Sequence, residues 1–110
     1  MDIVIKDGVC GKQETEVNEK NTAVAFGSGD VEVFATPAMI ALMEKTANES
    51  VKGLLSEGYV SVGIEINAKH IKASKVGSKI VCESFLSKVE GKKLTFNITA
   101  YDETAKIGEA

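Results

Sequence analysis

The sequence predicts an α+β domain in which one long helix precedes an antiparallel meander of strands. Residues 36–55 carry the strongest helix signal, and apolar residues alternate with polar ones from Tyr59 onward, as is typical of strands. The chain has 110 residues, the size of a single domain. We therefore expect residues 1–110 to form one unit, with the sheet wrapped around the helix.

The predicted helix begins at Thr36, which is a good N-cap residue, and Pro37 follows at the first helical position. The helical pattern continues over 39–55, and Gly58 is the expected C-cap region. A short strand over 13–17, the loop 27–30 and an extended piece at 31–34 precede the helix. Strands over 59–67, 79–89 and 94–101 and a last strand beginning at 106 follow it, separated by turns at 76–78, 90–93 and 102–105.

Charge and composition exclude several classes of function. The 13 basic residues are all lysine, the acidic residues number 16, and the formal net charge is −3, so an Arg-free acidic chain is a poor nucleic-acid binder. No apolar run approaches the ~18 residues of a membrane helix, and the first residues lack a signal-peptide pattern, so we expect a cytoplasmic protein without membrane contact. Cys10 and Cys82 lie far apart without a CxxC spacing, which predicts reduced thiols and no metal site.

Glu44 is the acidic residue of the helix that needs an explanation. At about 100° per residue it falls inside the apolar arc of the helix. That arc consists of Ile40, Met43, Ala47, Val51, Leu54 and Leu55. Because burying a lone carboxylate is costly, Glu44 either reaches solvent or a lysine at the helix edge, or is held in a cleft for chemistry.

Two further signals lie in the following segment. His70 is the only histidine, and it is either structural or an acid–base group near neutral pH. No acidic residue occurs between Glu65 and Glu83, whereas four lysines do: Lys69, Lys72, Lys75 and Lys79. This lysine-rich stretch is either a solvated face or a binding site for a polyanion such as the phosphates of coenzyme A, with Lys72 and Lys75 as candidate ligands.

Several motifs stand at intervals that characterise one known family. They are Gly27-Ser28-Gly29-Asp30, Val33-Phe34-Ala35-Thr36-Pro37, Glu44, Ser61-Val62-Gly63, His70 and Val76-Gly77. In this combination the chain resembles the fluoroacetyl-CoA-thioesterase-like branch of the hotdog-fold thioesterases, over roughly residues 13–110. The resemblance implies a hotdog fold, an antiparallel sheet around one long central helix. It also implies that Thr36, Glu44 and His70 form the catalytic set and that Gly63 contacts the substrate.

The chain departs from the family pattern in two places. Family members continue through a complete last strand, so the C-terminal strand ending at Ala110 is expected to be incomplete. The loop before Thr36 reads Gly-Ser-Gly instead of being rich in aromatics, so the fluoroacetyl specificity, which depends on an aromatic lid, is not expected here.

The resulting hypothesis is an acyl-CoA thioesterase, a homodimer or higher homo-oligomer, that hydrolyses a small acyl-CoA to free acid and CoA, without a cofactor other than the CoA of its substrate. If Thr36 and Glu44 share one helix, their Cα atoms lie about 12 Å apart, so they flank the thioester from two sides or meet across a dimer interface. The alternative is a hotdog protein that binds acyl-CoA without hydrolysing it. A hydratase of the same fold is a third, weaker possibility, because its usual Asp–His pair is not evident.

Overall fold

The fold is one antiparallel sheet with a long helix packed across it. The computed structural model describes residues 5–55 and 57–110. Its strands are β1 (Cys10–Glu16), β2 (Lys69–His70), β3 (Lys79–Glu90), β4 (Lys93–Tyr101) and β5 (Lys106–Glu109), and its helices are α1 (Ala23–Phe26) and α2 (Thr36–Lys52). The strand order is β1-β3-β4-β5-β2 with antiparallel neighbours throughout. Helix α2 packs on β1, β3 and β4, which confirms the α+β class.

The core lies between α2 and the inward face of β3 and β4, where buried residues alternate with exposed ones along each strand. It is built mainly from aliphatic side chains and methionine, as the low aromatic content requires. Its largest fully buried apolar side chains are Phe34, Met39, Met43, Ile80, Leu86, Ile107, Val17 and Val51.

Both predicted ends of the long helix are wrong. The N-cap is Ala35, with extended backbone angles of φ −70° and ψ 138°, and Thr36 is the first helical residue. No side chain caps this end. The helix ends at Lys52, and its C-cap is Gly53, five positions before the expected Gly58. Glycine has a low helix propensity and therefore favours the end of the helix at this position.

The Glu44 side chain is exposed, which agrees with the first of the two alternatives for this residue, that it reaches solvent at the helix edge. The buried face of α2 consists of Ala38, Met39, Leu42, Met43, Thr46, Ala47 and Val51. The predicted apolar arc extended to Glu44 because it included Leu55. Leu55 lies beyond the end of the helix. Glu44 therefore lies at the margin of the buried face, together with the half-buried Ile40 and Asn48.

The strand predicted from Tyr59 onward is not a paired strand in this chain. Residues 59–68 form no ladder with any described strand, and regular pairing begins only at Lys69. The predicted alternation places Val60, Val62 and Ile64 in solvent, where they are 81%, 77% and 79% exposed. A strand needs a neighbour as well as a two-residue periodicity, and in this segment of the chain β5 pairs with Lys69 and His70 alone.

Strands β3, β4 and β5 and the turns between them agree with the sequence prediction, whereas β1 begins at Cys10, three residues before the expected start, and ends at Glu16. The β3–β4 hairpin closes at the pair Glu90–Lys93, with Gly91 at a positive φ of 60° as the first of the two loop residues.

Cys10 and Cys82 are both free thiols. Across residues 5–55 and 57–110, no helix is long and apolar enough to cross a membrane. The same residues contain no group of three or more histidine, cysteine or acidic side chains placed to hold a metal ion.

Candidate active site

The first candidate pair is Thr36 and His70, which come from different elements. Thr36 stands at the start of α2, and its hydroxyl is not used as a helix cap. His70 lies on β2, held against β5 opposite Gly108. Thr36 Oγ1 lies 2.8 Å from His70 Nδ1, within hydrogen-bonding distance. The Phe34 ring also packs against the imidazole in an edge-to-face arrangement, with ring centroids 6.4 Å apart and planes at 79°.

The environment of His70 favours its neutral form. Burial lowers the pKa of His70, and the backbone of Lys72 opposes this effect only in part. The second ring nitrogen, Nε2, is buried and has no hydrogen-bond partner among the described residues. A neutral imidazole at neutral pH can accept the proton of the Thr36 hydroxyl through Nδ1, which is what a general base requires.

The helix start beside Thr36 is suited to negative charge. Because no side chain caps α2, the backbone N–H groups of Thr36 and Ala38 have no side-chain acceptor, whereas Pro37 has no N–H and the Met39 N–H bonds to Ala35 O. These groups and the helix dipole stabilise an anion placed at the N-terminus.

Glu44 lies away from the Thr36–His70 pair within one chain. Two helical turns separate Thr36 from Glu44, about 12 Å along the axis. The Glu44 carboxylate instead lies under the extended segment 59–68, where a Cβ added to Gly63 would stand 2.5 Å from Glu44 Oε2. Gly63 has no positive φ, so the close contact, and not the backbone conformation, distinguishes this position. A residue larger than glycine would require the end of the flexible Glu44 side chain to move.

One helical turn after Glu44, the side chain of Asn48 ties the same segment to the helix. The Ser61 hydroxyl donates a hydrogen bond of 2.5 Å to Asn48 Oδ1. Ser61 and Gly63 therefore face α2, and the apolar residues between and beside them point away from it. The structure thus forms two half-sites along the exposed side of α2, Thr36 with His70 and Glu44 with Gly63.

The two lysines predicted to bind phosphate have different surroundings. Lys72 Nζ forms an ion pair with Asp102 and donates to Thr104 Oγ1 at 2.9 Å. Lys75 is exposed, and its backbone pairs with Val33. Lys75 forms no ion pair with any described residue, and its ammonium group is available to an external anion.

Sequence reasoning missed Asp102 and Ser74. Asp102 was interpreted only as a turn residue, which it also is, because Thr104 and Ala105 donate backbone hydrogen bonds to its Oδ1. The Asp-x-Thr pattern signals that turn. Nothing in the sequence signals the contacts of Asp102 with Lys72 and Ser74, which are 30 and 28 positions away.

Comparisons with solved structures agree on the fold. The structure of fluoroacetyl-CoA thioesterase FlK superimposes with a TM-score of 0.90 at 26% identity, covering 96% of this chain and 83% of FlK. A Thermus thermophilus protein described as a thioesterase superfamily member gives 0.87 at 25% identity, covering 96% and 78%. A hot-dog-like protein from Thermanaerovibrio acidaminovorans gives 0.86 at 21% identity, covering 96% and 78%. The predicted hotdog fold is confirmed.

Sequence comparison gives the family. The fluoroacetyl-CoA thioesterase of Streptantibioticus cattleyicolor is 34% identical over 77 residues, 70% of this chain and 55% of that protein. The chain therefore spans about half the length of this curated relative. Residues 17–110 match the sequence profile of the family described as fluoroacetyl-CoA-specific thioesterase, and this range includes Thr36, Glu44, Gly63 and His70. On this match the chain belongs to the fluoroacetyl-CoA-specific thioesterase family of hotdog-fold proteins.

Proposed function

We propose that this protein hydrolyses a small acyl-CoA thioester to the free acid and CoA. The observation that carries the proposal is the 2.8 Å contact between Thr36 Oγ1 and His70 Nδ1 at an uncapped helix N-terminus. It supplies a hydroxyl, a base and an anion-stabilising position in one place, the groups that acyl transfer from a thioester requires. The family supports the substrate class, because solved structures of FlK variants hold fluoroacetate with CoA, and acetyl-CoA.

In the first half-reaction, Thr36 Oγ1 attacks the thioester carbonyl carbon while His70 Nδ1 takes the hydroxyl proton. The carbonyl electron pair moves to oxygen, and the resulting oxyanion is stabilised by the N–H groups at the start of α2. When the intermediate collapses, the C–S bond breaks and His70 returns the proton to the CoA sulfur. The products are CoA thiol and an acyl ester on Thr36.

In the second half-reaction, the Glu44 carboxylate acts as the base. It takes one proton from a water molecule as the water oxygen attacks the ester carbonyl carbon. His70 relays the remaining hydroxyl proton to Thr36 Oγ1 as the ester bond breaks, and Glu44 loses its proton to solvent. Free carboxylate leaves and the hydroxyl is restored. Glu44 acts from the far end of the site within one chain, or from a second copy across an interface.

The second copy belongs to the proposal because segment 59–68 is an unpartnered extended edge. Its backbone forms no ladder among the described strands, and its apolar side chains are among the most exposed of the chain. Such an edge pairs readily with another strand. We assign it to a homodimer in which two copies of the segment pair antiparallel, with the Glu44–Gly63 half-site directly beneath the interface.

We assign the CoA moiety to the lysine-rich stretch. The thioester carbonyl is assigned to the N-terminus of α2, beside Thr36. Lys75 lies in the segment that follows His70, and its free ammonium group suits a phosphate. Lys72, the other predicted ligand, has a side chain that is 41% exposed, but its ammonium group is paired with Asp102. We place the protein in the cytoplasm, where acyl-CoA esters occur and thiols such as Cys10 and Cys82 stay reduced.

Release of free thiol from a panel of short acyl-CoAs tests this function. The purified protein is incubated with each ester, and thiol formation is followed together with the shift in melting temperature. Hydrolysis predicts turnover with at least one short acyl-CoA. The alternative, an acyl-CoA-binding protein without turnover, predicts an increase in melting temperature with acyl-CoA and no thiol release.

A further inference from the structure

We propose that Asp102, with Lys72 and Ser74, is a positioning cluster that sets the His70 imidazole against the Thr36 hydroxyl. The inference rests on the proposed function only for its kinetic consequence. The structural relationship holds whether or not the protein hydrolyses thioesters. It gives Lys72 a role different from phosphate binding.

Asp102 is the centre of the cluster and is almost completely buried, with 4% of its side chain exposed. Its Oδ2 accepts hydrogen bonds from Lys72 Nζ and, at 3.2 Å, from the Ser74 hydroxyl. Its Oδ1 accepts three more, from the backbone N–H groups of Thr104 and Ala105 and from the Thr104 hydroxyl. One carboxylate in the β4–β5 turn therefore holds two residues of the segment that follows His70.

The cluster connects to both partners of the Thr36–His70 hydrogen bond. Lys72 lies two residues after His70. The backbone carbonyl of Ser74 accepts a hydrogen bond of 2.8 Å from the Phe34 N–H, and Phe34 lies two residues before Thr36. Movement of the segment 71–75 would therefore displace the imidazole and the start of α2 relative to each other.

The backbone alone holds His70 only weakly. Strand β2 has two residues, and its ladder to β5 ends at His70. After it, the N–H groups of Ile71 and Lys72 both approach the same acceptor, Ile107 O, at 2.7 and 3.2 Å. Regular pairing is lost at this point, so the bonds of Lys72 and Ser74 to Asp102 fix the course of the chain.

The charge of Asp102 persists at any working pH of the enzyme. Burial acts to raise its pKa, but the hydrogen bonds from Lys72 and from Thr104 outweigh it and hold the pKa well below its ordinary range. Removing Lys72 leaves a buried carboxylate without its cation, which is strongly destabilising for the local structure. A test must therefore separate loss of positioning from a change of charge near His70.

The test is the NMR titration of the imidazole nitrogens of His70, which is the only histidine of the full chain. The variants are Lys72→Met, Lys72→Arg, Ser74→Ala and the charge-balanced double variant Lys72→Met/Asp102→Asn. The matched control is Lys88→Met, which removes a lysine whose ion pair with Glu90 is exposed on both sides. Chemical shifts of Nδ1 report the bond to Thr36, and the titration midpoint reports the burial of the ring.

In the wild type we expect a His70 pKa below its ordinary ~6.5. In Lys72→Met and in the double variant it should rise to about 6.5 with a changed Nδ1 shift, because the ring becomes solvated. Lys72→Arg should stay close to the wild type, since arginine can pair with Asp102, and Lys88→Met should be unchanged. The double variant removes one positive and one negative charge, so a shift there is not a charge effect.

A folded double variant with wild-type titration and wild-type Nδ1 shift would overturn the proposal. If the double variant does not fold, Ser74→Ala, which changes no charge, decides by the same readout. The kinetic counterpart is a fall in kcat of about 10–10²-fold at nearly constant KM, the scale of a misplaced catalytic group. A higher KM with a wild-type kcat in Lys72→Met would contradict the positioning role and indicate that Lys72 binds phosphate. A wild type that releases no thiol would refute the function and leave the titration result valid.

Discussion

Thr36 and His70, separated by 34 positions in the sequence, share a hydrogen bond of 2.8 Å between hydroxyl and imidazole. The bond exists because Ala35, not Thr36, occupies the N-cap position, so the hydroxyl is free to face β2. A threonine used as a cap would direct its oxygen at the N–H groups of its own helix. The geometry at the helix start therefore determines which chemistry the residue can support.

Glu44→Gln should reduce kcat by at least ~10²-fold while preserving the fold, because it removes a base and keeps the size of the side chain. The matched control is Glu49→Gln, on the same helix, where the carboxylate forms only an exposed ion pair with Lys52. The control should keep full turnover. Thiol release and circular dichroism of both variants provide the measurement, and equal rates for the two variants would remove Glu44 from the mechanism.

The pH dependence of hydrolysis should follow His70. Because burial lowers the pKa of His70 in the folded protein, the imidazole stays neutral and able to accept a proton until the pH falls below ~6.5. The rate kcat/KM should therefore decline on the acid side with a midpoint below ~6.5. A His70→Ala variant should have a much lower kcat/KM, and the decline of kcat/KM on the acid side should be absent. An acid limb centred above ~7 would contradict the burial of the ring.

Stability should change in the same pH window. The unfolded chain binds the His70 proton more readily than the folded one, so the contribution of His70 to stability is complete above ~6.5 and is lost as the pH falls through the lowered pKa. Urea unfolding at several pH values, with wild type compared against His70→Ala, measures this contribution. Parallel pH curves for the two proteins would show that folding leaves the titration of His70 unchanged.

A pair of proline variants should distinguish the two edges of segment 59–68. The Ile71 N–H points to β5, so in a continuous extended segment the N–H of Glu65 points to the same side and that of Ile64 to the outer edge. Ile64→Pro should then remove an intersubunit hydrogen bond and weaken the dimer, whereas Glu65→Pro should not. Light scattering across a dilution series measures the dissociation, and a monomeric wild type at micromolar concentration would contradict the dimer.

Salt should weaken the binding of acyl-CoA if Lys75 contacts the phosphates, because exposed ion pairs are screened. Lys75→Ala should then raise KM more than it lowers kcat and reduce the salt dependence. Lys92→Ala is the control, since Lys92 is an exposed lysine in the β3–β4 loop. A KM that does not respond to salt or to Lys75→Ala would make the lysine-rich stretch an ordinary solvated surface.

Local patterns predicted most of the fold. The alternation in 79–101 and the glycine turns each act over a few residues, and β3 and β4 appear where these patterns indicate. The Thr-Pro pair indicated the start of α2 to within one residue, because Thr36 is the first helical residue and not the N-cap. The helix end was wrong because two leucines continue the apolar pattern after Gly53. Segment 59–68 was wrong as a paired strand because pairing depends on a neighbour that local alternation cannot reveal.

The family pattern predicted which residues form the candidate site but not how they are arranged. The family pattern names Thr36, Glu44, Gly63 and His70, but it does not state that Thr36 pairs with His70 or that Glu44 lies against Gly63. Asp102 was missed because its partners are distant in sequence and its local pattern is that of an ordinary turn. Contacts of this kind follow from the sheet order, which brings the β4–β5 turn beside the chain that follows β2.

The most direct test of the account is the rate of thiol release from a short acyl-CoA by Thr36→Val compared with wild type. Valine keeps the shape of threonine, and Thr36 does not cap the helix, so the melting temperature should change little. We predict a loss of at least ~10²-fold in kcat, because both the attacking hydroxyl and the proton acceptor contact are removed. Thiol release by Thr36→Val at the wild-type rate would contradict the account.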